Sequence, residues 1–157
     1  MPTTTAASAR VPPCWSAPIL KFPEFETTSA HREHAAHARD GRLTLQTCGD
    51  CGAVQYPSRD VCRQCLSGEL SWSEVPPGGR VISSGIVHAS LHQDFRERAP
   101  WRICSVLLDA GPVVIAHVPD DDVTAGDIVD VHDRIVGALR SVLIATRPVE
   151  RVERERQ

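Results

Sequence analysis

Four of the chain's six cysteines fall in one short stretch, CGDCGAVQYPSRDVCRQC, as two CxxC pairs with ten residues between them. Four thiols at this spacing serve a disulfide framework, a redox dithiol or a metal clamp. The N-terminal MPTTTAASARVPPCWSAP has no apolar h-region, and no apolar run approaches the ~20 residues of a membrane span. The expectation is a cytoplasmic protein without membrane contact, where thiols stay reduced, and this argues against disulfides. A redox dithiol is usually one CxxC opening a helix in a βαβ unit. Here each of two pairs precedes a turn former, Gly52 after Cys51 and Leu66-Ser67-Gly68 after Cys65. Cys48, Cys51, Cys62 and Cys65 are therefore expected to hold a structural Zn2+ at tetrahedral geometry, with no position left open for water or substrate. Iron would fit the same cage. Zinc binding by such peptides supplies about 10–16 kcal/mol, so metal and local fold should be inseparable.

At 157 residues, 41% hydrophobic and 24% charged with net charge −3, the chain has room for one modest domain with an appended module. Residues 1–24 read as a partly ordered tail whose Trp15, Ile19, Leu20 and Phe22 suggest docking. Residues 25–42 read as a helical segment, with Ser29 as cap, Ala30 to Asp40 as helix and Gly41 as stop. The ribbon is expected over 43–72, from LTLQ through ELSWSEV. The barrel is expected over 73–146, after a PPGG turn. Its strand-like runs are RVISSGIVHASL, WRICSVLLD, PVVIAHV, DIVDV and SVLIAT, with HDRIVGALR read as a separator. A charged tail, 147–157, closes the chain.

The succession of parts resembles the zinc-ribbon/OB-fold family associated with acyl-CoA metabolism, long labelled a domain of unknown function. The matching stretches are RLTLQTCGDCGAVQYPSRDVCRQC, LSWSEVPPGGRVISSGIVH, APWRICSVLLDAGPVVIAHV and AGDIVDV, covering roughly residues 30–146. Arg63 stands where that family often has proline, and Gly79-Arg80 where it often has Gly-Thr. The resemblance implies a mainly β fold: an N-terminal helix, a rubredoxin-like zinc ribbon and a five-stranded OB-fold barrel. It also implies a small, non-catalytic partner of a thiolase-fold subunit (a thiolase, retro-aldolase or acyltransferase) in a hetero-oligomer. The larger subunit would carry the catalytic residues, and a coenzyme A thioester would be the substrate of the complex. The small subunit would brace the assembly and help form the acyl-CoA site.

The residues themselves offer no nucleophile–base pair, open metal site or phosphate loop. Cys104, in RICSVLLD, reads as core, and Cys14 as an exposed tail residue. His31, His34 and His37 recur every third residue, which suits a solvated or partner-facing helix better than a second metal site. The run at 120–122 lacks calcium-loop spacing. The loop from His88 to Trp101 gathers His92, Phe95, Arg96, Arg98 and Trp101, a set suited to partner or acyl-CoA contact. A plain solvated loop is equally consistent with it. Zinc ribbons and OB-folds also serve single-stranded nucleic acid, which needs a basic groove with aromatic platforms. Residues 70–146 carry six arginines against ten carboxylates, and few aromatics, which argues against that role. A third reading, a stand-alone acyl-CoA-binding protein, stays open.

Overall fold

Beyond residue 42 the chain is a series of short runs rich in β-branched residues, which favour pleated, half-buried surfaces. A computed structural model describes residues 29–90, 96, 99–119, 123–137 and 140–148. The tail 1–24, His92, Phe95, Arg98, the acidic run at 120–122 and residues 149–157 lie outside the described residues, as does the side chain of His31.

Helix α1 spans Ser29–His37, and strands β1 (Thr44–Cys48), β2 (Val54–Gln55) and β3 (Leu70–Glu74) come next. These strands form one antiparallel sheet in the order β2-β1-β3. The remaining strands, β4 (Gly78–Val87), β5 (Trp101–Leu108), β6 (Val113–Val118), β7 (Ile128–Gly137) and β8 (Arg140–Thr146), close a barrel in the order β4-β5-β6-β8-β7. The expected fold class, a ribbon followed by a five-stranded barrel, is the fold observed. Alternation along β6 turns Val114, Ala116 and Val118 inward, where they meet Val81, Val106, Leu108, Val129, Val131, Leu143 and Ala145. Small, mostly β-branched side chains suit the narrow interior of such a barrel. Leu43 and Leu45 join the same cluster, so ribbon and barrel share one core.

Three expectations are corrected. The helix stops at His37 rather than Asp40, because Asp40 and Gly41 are recruited by the barrel. The Asp40 carboxylate accepts the Ile135 N–H at 3.2 Å, and the Gly41 N–H, at φ +79°, donates to the Asp133 carbonyl at 2.9 Å. Arg39 meanwhile donates to the Ala36, His37 and Ala38 carbonyls, taking up the exposed helix end. The second correction concerns PPGG, whose glycines are already strand. Gly79 lies between Leu108 and Val129, and a Cβ there would come within 2.7 Å of the Leu107 carbonyl oxygen. The third concerns HDRIVGALR, which is not a separator. Strand β7 runs through it to Gly137, with the fully buried Asp133 at an inward position where a hydrophobic residue would have marked the strand.

Candidate metal centre and its supports

The two CxxC pairs fold as copies of one turn. In the first, the Cys48 N–H donates to the Ala53 carbonyl and the Gly52 N–H to the Cys48 carbonyl, each at 2.9 Å. In the second, the Cys62 N–H donates to the Ser67 carbonyl at 2.8 Å and the Leu66 N–H to the Cys62 carbonyl at 3.0 Å. Both turns need a left-handed residue right after the second cysteine. Gly52 takes it at φ +72° and Leu66 at φ +63°. The position costs a non-glycine residue about 1–2 kcal/mol, and Leu66 recovers little by packing, being 76% exposed. Leu66→Gly is therefore expected to stabilise the metal-loaded protein by about 0.5–1 kcal/mol, after the extra chain entropy of glycine is subtracted. A thermal melt checks this, and a lower melting temperature would refute it.

The turns bring the four sulfurs within 4.8 Å of one another. The Cys48–Cys65 and Cys51–Cys62 Sγ separations are both 3.6 Å. A metal with ~2.3 Å bonds to sulfur has tetrahedral edges of about 3.8 Å, whereas a disulfide needs ~2.05 Å. The spacing thus fits a metal ion, and four cysteines are positioned to bind one. The surrounding amides favour thiolate: the N–H groups of Cys65 and Gln64 hold the Cys62 thiol down to about 6. At Cys65 the Ser67 N–H acts in the same sense, but the contact with the Cys51 thiol, loss of hydration, and the Cys48 and Cys62 thiols override it and push Cys65 up to about 12. Four adjacent thiolates need a cation among them. Cys48 and Cys62 are buried while Cys51 and Cys65 are exposed, so the site lies at the ribbon's edge. Its donor set is complete at four, which suits a structural role.

Two buried glutamines fix the segment between the knuckles. Gln46 accepts the Arg59 N–H at 2.8 Å and donates to the Arg59 carbonyl at 3.0 Å, as a β-strand neighbour would. Gln55 donates to Gln46 Oε1 at 2.9 Å and accepts the Arg63 N–H at 3.0 Å, next to Cys62. Sequence reasoning passed over both. The available signal was a polar residue in β1, whose residues Thr44 to Gln46 are all buried.

A second polar hub ties ribbon, helix and barrel together. Asp133 Oδ2 accepts the Thr44 N–H at 2.9 Å, and the Asp133 N–H donates to the Arg42 carbonyl at 2.6 Å. Asp133 Oδ1 lies 3.2 Å from His34 Nε2, yet neither atom has hydrogen-bond geometry with any described protein group. The two groups thus lie within ion-pair distance without forming a hydrogen bond. His34 and His37 lie parallel to Trp72 of β3, at 5.3 and 5.5 Å between ring centroids. These histidines serve to seat the helix on the ribbon. Among the described residues the four cysteines form the one cluster suited to a metal.

In the loop from His88 to Trp101, Arg96 is exposed and donates to the Ser90 carbonyl at 3.4 Å. Trp101 opens β5 opposite Val87 and is only 8% exposed, so its ring is not presented as a surface anchor. Cys104 is buried as expected, and burial pushes its thiol up to about 11. The outward barrel face was not anticipated. Leu107 pairs with Val113 and Ser105 with Ile115. Leu107, Val113, Ile115 and, on β4, Ile82 and Ile86 are all exposed.

The chain matches two family models: ChsH2, rubredoxin-like zinc ribbon domain, over residues 35–71, and ChsH2, C-terminal OB-fold domain, over 72–138. It is similar to a DUF35 domain-containing scaffold protein of Methanocaldococcus jannaschii, 30% identical over 74 residues. That match spans 46% of this chain and about half, 52%, of the relative. A scaffold protein of the same description from Methanothermobacter thermautotrophicus is 29% identical over 101 residues, covering 64% of this chain and 73% of the relative. Among solved structures, a chain of an "Ltp2-ChsH2(DUF35) aldolase" superposes with a TM-score of 0.61 at 20% identity, covering 80% of this chain and 98% of that one. At this identity the likeness speaks for the fold.

Proposed function

The chain belongs to the ChsH2 family of zinc-ribbon/OB-fold proteins, and from that premise we propose that it is the non-catalytic accessory subunit of a thiolase-like enzyme acting on acyl-CoA. The four cysteines hold Zn2+ as a structural ion that keeps the ribbon folded. The catalytic subunit is a thiolase, retro-aldolase or acyltransferase, and this chain braces it and helps form the acyl-CoA site. The relatives described as scaffold proteins and the likeness to an Ltp2-ChsH2 aldolase chain support the reading. Exposed Arg96 is the described residue of its loop that suits an anionic phosphate of coenzyme A.

The observation that carries the proposal is the exposed aliphatic set on the outer face of β5 and β6. Exposed aliphatic residues scattered singly are normal, but a contiguous set marks a surface meant to be covered. Leu107 and Val113 are cross-strand neighbours, each 45% exposed, and Ile115 lies further along β6 at 57%. Single-stranded nucleic acid would call instead for cations and stacking aromatics on the strands.

The test is the double variant Leu107→Glu/Val113→Glu, co-produced with a thiolase-like protein of the same host. Burying two carboxylates without partners is expected to weaken association by about a hundredfold or more, while metal content and melting temperature stay near the parent's. Unchanged co-purification by the double variant would remove this face from the interface. Salt-sensitive RNA binding by the parent would favour the nucleic-acid reading.

A further inference from the structure

The two cysteine turns share their hydrogen bonds and differ at one telling position. Where the first has Gly52 in the left-handed region at φ +72°, the second has Leu66 at φ +63°. Glycine adopts this conformation freely, whereas a Cβ makes it unfavourable. Packing within the chain could compensate a leucine, yet Leu66 is the most exposed large apolar side chain among the described residues. The turn itself has no need of that side chain. It closes through the Leu66 N–H on the Cys62 carbonyl, a donor that glycine supplies equally well. A residue held at a local cost and left in solvent is what a contact outside the chain would call for.

The surroundings narrow the kind of contact. Val61, just before Cys62, is exposed as well, so aliphatic side chains flank the Cys62–Cys65 knuckle on both sides. Between them Arg63 is exposed, and its guanidinium makes no ion pair among the described residues, although Asp60 and Glu69 are close in sequence. Residues 59–68 hold two arginines against one aspartate. An aliphatic tip with a free cation on it complements an apolar pocket that has a carboxylate at its rim. Once the four cysteines hold their metal the tip is rigid, so docking it orders few groups.

We infer that the Cys62–Cys65 knuckle is a docking tip for the thiolase-like subunit: Val61 and Leu66 enter an apolar pocket, and Arg63 meets a carboxylate on its rim. This rests on the accessory-subunit reading and adds to it a contact made by other residues than Leu107 and Val113.

The test measures, by titration calorimetry, the affinity of the full, metal-loaded chain for the purified thiolase-like subunit. Leu66→Gly is expected to keep the parent's zinc content and melt higher, yet to bind about tenfold or more weakly for want of the buried side chain. Arg63→Glu is expected to weaken binding about tenfold at low salt and by less at high salt. Stability and affinity moving in opposite directions mark a docking residue, since a purely structural one would move them together. A Leu66→Gly chain that binds as tightly as the parent, while Leu107→Glu/Val113→Glu does not, would overturn the docking tip and leave the accessory-subunit reading standing. Binding that Arg63→Glu leaves unchanged would overturn the charged rim. A parent that forms no complex would overturn both readings. Self-association of the parent that Leu66→Gly abolishes would give the tip to a second copy of this chain and overturn its assignment to the larger subunit.

Discussion

Stripping the metal from Cys48, Cys51, Cys62 and Cys65 is expected to unfold residues 44–74 and to loosen the barrel beside them. The ribbon's own hydrophobic content is small. Leu43 and Leu45 reach into the barrel cluster and Val54 and Tyr56 pack against it, and the ribbon's other buried residues are Thr44, two cysteines and the amides of Gln46 and Gln55. Structural zinc supplies about 10–16 kcal/mol in comparable sites, as large as the roughly 5–15 kcal/mol by which a whole domain is stable. Cys62→Ser should therefore act like a chelator, releasing the metal and exposing the amides of β1 to β3 to hydrogen exchange. Serine at 51, on the exposed side of the cluster, should do less damage to the fold than serine at the buried 62. Elemental analysis should find one zinc per chain in the parent. A metal-free chain that kept its ribbon protected from exchange and its melting temperature unchanged would refute the structural role.

Asp133→Ala is the second large effect, expected to cost about 3 kcal/mol. The carboxylate is fully buried. Its loss leaves the Thr44 N–H without an acceptor at the start of β1 and His34 without its ionic neighbour. A stranded buried donor costs about 1–3 kcal/mol and a broken buried pair somewhat more. Asp133→Asn separates the two contributions. The amide oxygen can still accept from Thr44, so a loss near 1 kcal/mol would assign most of the effect to that hydrogen bond. Denaturant unfolding at neutral pH reads both variants, and an Asp133→Ala protein as stable as the parent would remove the hub from the account.

The parts of the molecule written in local spacing were legible in the sequence. The CxxC pairs name their ligands, and alternation in ELSWSEV and PVVIAHV names strands because side chains on a pleat change face at every residue. The features that escaped were long-range and polar. Nothing near Asp133 in the sequence shows that its carboxylate will accept from Thr44, 89 residues away. An inward charge also made the second half of β7 read as a loop. Gln46 and Gln55 act by imitating backbone, for which their neighbours in sequence give no sign. The early end of the helix belongs to the same class, since Asp40 and Gly41 are taken up by hydrogen bonds to β7. Trp101 looked like a surface anchor because of its loop, whereas the residue belongs to the adjoining strand β5 and is buried with it.

The most direct test of the central claim is to isolate the tagged chain from its native host and weigh the intact assembly by native mass spectrometry. The account predicts one zinc per copy of this chain and a stoichiometric complex with a larger thiolase-like protein that turns over acyl-CoA. A chain recovered alone, or with RNA in place of a protein partner, would contradict it.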